Sequence, residues 1–239
     1  MNNFSFSPIG RISSCYKEKF SIPRQAGLVD GATAEAILTK PYACPEIVRG
    51  LEGFTHIWII FAFHAVPLGQ WKPTVRPPRL GGNKRLGVFA TRSTHRPNPI
   101  GMSAVSLLDI RIESGEIKLI LGGCDLLNGT PVLDIKPYLP YADCIAQAKG
   151  GFAPDTPNYR INVSFSQAAI ALCASASARL NVDIKHFIEQ LLSLDPRPSY
   201  QAGQVSDRIY AAEVYDFDLR WQYITEHEVR VIDLSPRDH

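Results

Sequence analysis

Short segments in which apolar and polar positions alternate, punctuated by proline and glycine, fill the first 143 residues. Alternation with β-branched and aromatic residues is typical of strands that bury one face. The predicted strands are residues 6–13, 35–38, 56–66, 86–91, 101–112, 116–121 and 131–135. The dipeptide Ser114-Gly115 predicts a hairpin between two of them. Many short strands joined by turns favour a closed or half-closed β-barrel.

The pattern changes after residue 145, where helical spacing appears. An alanine-rich segment, residues 166–178, begins with a serine suited to cap a helix. A second helix is indicated by apolar residues at the spacing of one helix face, namely Ile184, Phe187, Ile188, Leu191 and Leu192. Residues 209–214, 217–224 and 229–234 alternate like a small antiparallel meander.

These patterns predict a mainly β protein with two domains. Residues 1–145 would form a small β-barrel, and residues 146–239 a smaller α+β domain. A linker rich in glycine and proline, residues 144–158, separates them. The length of 239 residues suits one large or two small domains.

Membrane and secretion signals are missing from the sequence. The longest uninterrupted apolar run, residues 57–63, is far shorter than the roughly 18–20 residues that span a bilayer. The first residues, MNNFS, show no basic region followed by an apolar core. We therefore expect a cytoplasmic protein with no membrane partner.

Several kinds of site also lack their motifs. The five cysteines include no CxxC pair, and the six histidines are scattered, so we expect neither a metal site nor a disulfide framework. The phosphate-binding loop motif GxxxxGK[ST], the dinucleotide motif GxGxxG after a strand and the nucleophile elbow GxSxG do not occur. A Rossmann-type cofactor site has no support.

Charge is segregated along the chain. The 56 residues from 53 to 108 contain no aspartate or glutamate, while the rest of the chain has a net charge of −5. That stretch carries seven basic residues, which are Lys72, Arg76, Arg79, Lys84, Arg85, Arg92 and Arg96. With Trp71 and His95 among them, the pattern favours a site for a polyanion such as RNA. The alternative is that these cations pair with acids elsewhere in the fold.

Three segments place glycine, proline or asparagine beside charged residues at predicted strand ends: residues 16–25, 87–103 and 123–138. The first two contain Pro23-Arg24-Gln25 and the run ATRSTHRPNPIGMS; the run DLLNGTPVLDIKPYLPYAD, residues 125–143, begins in the third, and DPRPSY follows at residues 195–200. On these motifs the chain resembles the TsaA/TrmO-type transfer-RNA methyltransferases, over essentially its whole length.

The resemblance implies an enzyme that uses S-adenosyl-L-methionine on a small β-barrel. It implies methylation of the N6 nitrogen of threonylcarbamoyl-adenosine, next to the anticodon of threonine transfer RNAs, by a homodimer. Matching positions place the cofactor site at Pro23, Arg24, Gln25, His64, Ala65, Arg92, Met102, Asp125, Leu126, Leu127, Asn128 and Gly129.

The target nitrogen is a poor nucleophile until its proton is lost, because its lone pair is delocalised. A nearby base would assist the transfer, and His64, Asp125 and Asp134 are candidates. The sequence does not choose between them. His64 can equally be a hydrogen-bonded core histidine, Asp125 can simply start a turn, and Asp134 can pair with Lys136 on one strand face.

Cations on the basic stretch and beyond it are candidates for contact with transfer RNA. They are Arg76, Arg79, Lys84, Arg85, Arg96, Lys136 and Arg197. Arg92 would instead hold the methionyl carboxylate. Arg197, Tyr200 and Arg208 would extend the RNA contact into the second region, although Arg197 can also brace the bend after the helix.

Three other functions fit parts of the pattern. A non-enzymatic RNA-binding module would share the basic surface without binding a methyl donor. A methyltransferase that acts on another RNA or on a small molecule would share the donor site. A metal-dependent hydrolase would need a cluster of ligands, which the sequence does not offer.

Overall fold

The computed structural model describes residues 4–67, 69–113, 115–156, 161–197, 205 and 207–237. Its first half contains the strands β1 (Gly10–Ser14), β2 (Thr33–Leu38), β3 (His56–Ala62), β4 (Thr74–Val75), β5 (Leu86–Gly87), β6 (Ile100–Glu113), β7 (Glu116–Gly122) and β8 (Pro131–Pro137). Five 3-10 helices lie between them, at Lys19–Ser21, Pro45–Val48, Leu51–Gly53, Pro78–Leu80 and Val88–Ala90. A short helix, α1 (Pro140–Asp143), follows β8.

Six of these strands close into a barrel in the order β1-β2-β7-β6-β3-β8, and β8 pairs back onto β1. Every pairing in the barrel is antiparallel. Alternate residues point inward, so that Ile57, Ile59 and Phe61 of β3 fill the core while Trp58 and Ile60 face outward. The mainly β barrel predicted from the alternation is confirmed.

The second half contains β9 (Asn162–Phe165), α2 (Gln167–Leu180), α3 (Ile184–Ser193), β10 (Ile209–Val214), β11 (Phe217–Thr225) and β12 (Glu228–Pro236). The hydroxyl of Ser166 accepts a hydrogen bond from the Ala169 N–H at 3.1 Å, which confirms the predicted cap of α2. The predicted meander β10-β11-β12 is present. It gains a fourth strand, β9, which pairs parallel to β12. Strand β9 is only four residues long and leads directly into the cap of α2, so its apolar pattern is too short to predict a strand.

The prediction of a strand over residues 86–91 is wrong beyond its first two residues. Only Leu86 and Gly87 pair with another strand, and a 3-10 helix follows. The N–H of Val88 donates to Pro73 O at 3.0 Å, and the N–H of Thr91 donates to Val88 O at 3.1 Å. The first of these bonds comes from a segment distant in sequence, and it overrides the local apolar pattern.

Three chain connections meet at one end of the barrel. Because the strands alternate in direction, the connections 15–32, 63–99 and 123–130 all leave from this end, which we call the loop end. The connection 39–55, the turn between β6 and β7 and the segment after β8 lie at the opposite, far end. The three segments singled out in the sequence begin in the three connections of the loop end.

The described residues form two hydrophobic cores, and the second is shared between the two halves of the chain. One core fills the barrel. The other packs α2, α3 and the C-terminal sheet against Cys15, Tyr16, Val29 and Ala32 of the first loop-end connection. Tyr16 also forms a β-bridge with Val214. This connection therefore packs with α2, α3 and the C-terminal sheet, which together we call the C-terminal lobe.

The cysteines form no disulfide, and the described residues include neither a metal-binding cluster nor a membrane-spanning helix. All five cysteines are free thiols; Cys15, Cys124 and Cys173 are buried, and Cys44 and Cys144 are exposed. Within the described ranges, no three His, Cys, Asp or Glu residues lie close enough to hold a metal ion. The helices of the described chain are all too short or too polar to cross a bilayer.

Candidate functional site

The three loop-end connections touch one another. Gly27 N–H donates to Gly123 O at 2.8 Å, which joins the first connection to the third. The Gln25 side-chain oxygen accepts a hydrogen bond from the Arg92 guanidinium, which joins the first to the second. His64 reaches the third, because a Cβ placed on Gly129 would lie 4.0 Å from His64 Nε2. Most of the residues predicted to hold the cofactor therefore share one small region.

The bend between β7 and β8 is fixed by its own backbone. Asn128 N–H donates to Tyr16 O and Gly129 N–H donates to Ile12 O, both at 2.8 Å. Gly129 has a φ of 80°, in the region that glycine adopts without strain. Leu126 is buried in the barrel core, and Leu127 O accepts a hydrogen bond from the Thr130 hydroxyl. Among the predicted residues of this bend, Asp125 alone has a buried, unpartnered side-chain oxygen.

Asp125 is the most unusual group at the loop end. Its Oδ1 is buried and has no hydrogen-bond partner among the described residues. Burial raises the pKa of the Asp125 carboxyl, and hydrogen bonding to the Ser103 side chain together with the Arg92 charge partly offsets that rise. Buried polar atoms are nearly always paired in folded proteins, so an unpaired carboxyl oxygen indicates a position prepared for a ligand.

His64 lies beside a cation. The Lys19 ammonium donates to the Ala65 carbonyl at 2.5 Å, so the backbone of Ala65 already has a partner. Partial desolvation and, secondly, the Lys19 charge lower the pKa of His64. The lowered pKa favours the neutral imidazole, whose free ring nitrogen can accept a proton.

The first connection contributes Pro23, which is buried, and Arg24, which is exposed. Burial of part of the Arg24 side chain lowers its pKa, and the charge of Asp195 acts in the opposite direction. The C-terminal lobe thus places a carboxylate within electrostatic range of the predicted cofactor residues.

Strand β6 presents two neighbouring residues to opposite sides of the barrel wall. Met102 points outward and is 53% exposed, whereas Ser103 is 6% exposed and interacts with Asp125. Ser103 and Lys19 are two residues of the site that were not predicted from the sequence. The alternation along β6 carried the signal for Ser103, because it places residues 101, 103 and 105 on the inner face.

Asp134 and Lys136 lie on the outer wall of the barrel. They form an ion pair of 2.8 Å, with half or more of each side chain exposed. Their strand positions face Ile60 and Trp58 of β3, rather than the loop-end connections. The structure does not bring them to the loop-end connections that carry His64 and Asp125. The alternative stated for Asp134, that it pairs with Lys136 on one strand face, describes their geometry.

The basic stretch forms a two-stranded ribbon, β4 with β5, within the second connection. Its tip, residues 76–85, exposes four cations, which are Arg76, Arg79, Lys84 and Arg85. The Arg85 guanidinium donates to the Thr74 hydroxyl at 3.1 Å, and Arg79 donates to the Asp155 carbonyl. Arg96 is more enclosed and donates to Thr91 O at 2.7 Å.

Arg197 occupies a different environment from the other predicted RNA contacts. Its side chain is 1% exposed, and its Nε lies 2.8 Å from Asp195 Oδ1. Its guanidinium carbon is 3.6 Å from the centre of the Tyr223 ring. This buried position fits the bracing interpretation of Arg197 and not a surface contact with RNA. Tyr200 lies outside the described residues.

The fold is a closed antiparallel barrel whose candidate site is carried by three connections at one end. Two family models match the chain: the tRNA-methyltransferase O N-terminal domain at residues 11–144 and the TrmO C-terminal domain at residues 158–237. The chain belongs to this tRNA-methyltransferase O family.

Individual relatives agree with the family match. The tRNA (adenine(37)-N6)-methyltransferase of Escherichia coli K12 is 47% identical over 237 residues, which cover 99% of this chain and all of that protein. A Pseudomonas aeruginosa protein, whose name describes a putative S-adenosylmethionine-dependent methyltransferase, is 46% identical over 98% of this chain and 99% of its own length. The crystal structure of TrmO from P. aeruginosa superposes with a TM-score of 0.82 at 40% identity, covering 99% of each chain.

Proposed function

We propose that this protein transfers a methyl group from S-adenosyl-L-methionine to the N6 nitrogen of the threonylcarbamoyl-modified adenine at position 37 of threonine transfer RNAs. The observation that carries the proposal is the loop-end site: Asp125 with an unpaired buried oxygen, within electrostatic range of Arg92, on the bend whose Gly129 lies near His64. Family membership supports the reaction, since the E. coli relative is named for methylation of adenine 37.

The residues present suit S-adenosyl-L-methionine. Its methionyl carboxylate needs a cation, which Arg92 or Arg24 would supply. Its ammonium and ribose hydroxyls need acceptors, and the unpaired Oδ1 of Asp125 is a buried acceptor in the right region. Pro23, Gln25, His64, Ala65, Met102 and the bend at Leu126, Leu127, Asn128 and Gly129 would complete the contacts.

When bound, S-adenosyl-L-methionine supplies an activated methyl group for direct in-line displacement. The protein's part is to hold the target nitrogen in line and to take up its proton. We propose His64 as the base, because its neutral imidazole can accept that proton, and Asp125 as the group that orients the donor. Asp134, ion-paired on the outer wall, has no role in this scheme.

Transfer RNA would approach over the basic ribbon. The cations at its tip and Arg96 would face phosphates around the anticodon loop. The bases of such a loop are already unpaired, so the target adenine reaches the site without being flipped out of a duplex. We propose that the protein acts on transfer RNA in the cytoplasm.

We also propose that the chain acts as a homodimer. The outer barrel face near the loop end exposes Ile100 (40%) and Met102 (53%) next to Ile60, which offers an apolar surface to a second copy. Sedimentation equilibrium of the full chain would give twice the mass of 26.5 kDa. A monomer mass at micromolar concentration would refute the dimer.

The decisive test of the function is methyl incorporation from labelled S-adenosyl-L-methionine into two transfer-RNA pools. One pool comes from cells that make threonylcarbamoyl-adenosine and the other from cells that cannot. Label only in the first pool is expected. Label in both pools would contradict the proposed substrate, and donor binding without label in either would indicate another acceptor. Absence of donor binding would leave an RNA-binding module as the function.

A further inference from the structure

Three large aromatic side chains project into solvent at the loop end. Phe20 is 72% exposed, Trp71 is 51% exposed and Phe89 is 77% exposed. Each lies next to a cation of the same connection or within reach of one: Lys19 precedes Phe20, Lys72 follows Trp71, and Arg96 contacts Phe89. Phe4, Phe6 and Tyr141 are also exposed, but they lie outside the three loop-end connections.

The Phe89 ring is held outward by its neighbours. Phe89 is the middle residue of a 3-10 helix whose first residue, Val88, is 3% exposed and anchors the turn. The Arg96 guanidinium lies 5.7 Å from the ring centroid and also donates to Val88 O and Thr91 O. The ring and the cation are therefore fixed side by side before any ligand arrives.

The other two rings also sit on anchored backbone. Phe20 belongs to a 3-10 helix in which Ser21 is 2% exposed and donates its hydroxyl to Glu18 O at 3.0 Å. Trp71 is followed by Lys72, whose N–H donates to His95 O at 3.3 Å. In all three places the backbone is tied down while the aromatic face remains open to solvent.

We propose that Phe20, Trp71 and Phe89 are stacking platforms for unpaired bases of the substrate RNA that flank the methylated adenine. The proposal rests on the proposed function. Single-stranded nucleic acid is bound by aromatic rings interleaved with cations, because every base has a π-face and every nucleotide has a phosphate. A loop of unpaired bases matches both features of this surface.

Two other occupants fit less well. A second copy of the chain would bring the same cations, Lys19, Lys72 and Arg96, towards these cations, and like charges repel. S-adenosyl-L-methionine has a single base, whereas three separate rings are exposed. RNA alone supplies several bases together with negative charge.

The test compares Phe20→Ala, Trp71→Ala and Phe89→Ala with the unaltered protein, using the modified transfer RNA. Loss of one stack should raise the Kd for transfer RNA by about 5-fold to 150-fold, with the Kd for S-adenosyl-L-methionine unchanged. Phe89→Tyr should restore most of the affinity, because it keeps the ring. Phe6→Ala is the matched control, since Phe6 is 67% exposed outside the loop end and should leave RNA affinity unchanged.

A fluorescent base reports stacking directly. An anticodon-loop RNA with 2-aminopurine beside the target adenine should be quenched on binding to the unaltered protein, and at least one alanine variant should lose that quenching at saturating protein. Unchanged Kd and quenching in all three variants would overturn the proposal. So would loss of donor affinity alone, which would assign the rings to the cofactor, or conversion from dimer to monomer, which would assign them to the interface. RNA binding is measured without methyl transfer, so failure of the proposed reaction would be seen separately in the unaltered protein.

Discussion

The carboxyl group of Asp125 is held in an environment that opposes its charge. One of its oxygens is buried without a partner among the described residues, and burial raises its pKa. A carboxyl with a raised pKa in the folded state destabilises the fold above its ordinary pKa, increasingly until the pH exceeds the raised value. Such a group persists in proteins chiefly where a ligand or a reaction needs it.

We predict that Asp125→Asn stabilises the free protein and lowers methyl transfer. The gain in the free energy of unfolding should be on the order of 1 kcal/mol at neutral pH, because a buried charge is replaced by a neutral amide of the same shape. The gain should vanish at low pH, where Asp125 is protonated, and should grow as the pH rises from the ordinary carboxyl pKa to the raised one. Urea denaturation across the pH range measures it.

Asp134→Asn is the control for that stability measurement. The exposed Asp134–Lys136 ion pair should contribute no more than about 1 kcal/mol. An Asp125→Asn variant less stable than the unaltered protein at neutral pH would contradict a destabilising effect of the buried charge.

For individual residues, the sequence indicated part of the candidate site. The motif similarity pointed to Asp125, His64 and Arg92, which lie on the second and third loop-end connections. It did not reveal Lys19, whose contact with Ala65 spans 46 residues of chain, because a long-range hydrogen bond leaves no local pattern. It also suggested Arg197 as a surface contact, since burial of an arginine by a distant strand is not visible in the residues around it.

The ribbon of β4 and β5 is the element with the most concentrated charge. The sequence indicated both the charge and an apolar strand at residues 86–91, but not the ribbon itself. Its pairing depends on contacts with residues 73–75, more than ten positions away. The strands of the barrel were easier to predict because alternation along each of them is set by a single core.

We predict that neutralising the ribbon tip weakens RNA binding without affecting the donor. In a variant with Gln at Arg76, Arg79, Lys84 and Arg85, the Kd for transfer RNA should rise on the order of tenfold or more at physiological salt. The slope of log Kd against log salt should fall by roughly 0.7–0.9 for each phosphate that no longer meets a cation. Filter binding at several salt concentrations measures both.

A matched variant tests whether position, and not total charge, matters. Four cations towards the far end can be changed to Gln in the same way: Lys40, Arg49, Arg111 and Lys118. This variant should keep nearly the full salt slope. An equal decrease of slope in both variants would show that RNA binds through overall charge and not through the ribbon.

On the scale of the whole molecule, the two halves of the chain are joined by a shared core. Phe187 of α3 is fully buried, with ring centroids of Tyr16 and Tyr215 at 6.1 and 5.3 Å. The sequence predicted two regions with different patterns. It did not predict that the first would supply residues to the core of the second, because periodicity describes one segment at a time.

We predict that Phe187→Ala lowers the free energy of unfolding by about 3–5 kcal/mol, the usual cost of removing a buried phenylalanine ring. Because Tyr16 lies in the same connection as Arg24 and Gln25, the variant should also bind S-adenosyl-L-methionine more weakly at temperatures where it remains folded. Thermal denaturation and donor titration measure the two effects.

Ile170→Ala on α2 is the control, because Ile170 is 42% exposed and should change stability little. Unaltered donor affinity in folded Phe187→Ala protein would show that the shared core supports stability without supporting the site.

The placement of the cysteines has a practical consequence for following RNA binding in solution. Cys44 and Cys144, the two exposed thiols, lie on segments at the far end of the barrel, while burial raises the pKa of Cys15 to about 12 and that of Cys173 to about 11. A maleimide dye at mild pH therefore attaches on the side of the molecule away from the loop-end connections. Energy transfer from a dye on Cys44 or Cys144 to a labelled RNA can therefore be measured without an engineered cysteine. The dye would not lie where the RNA binds.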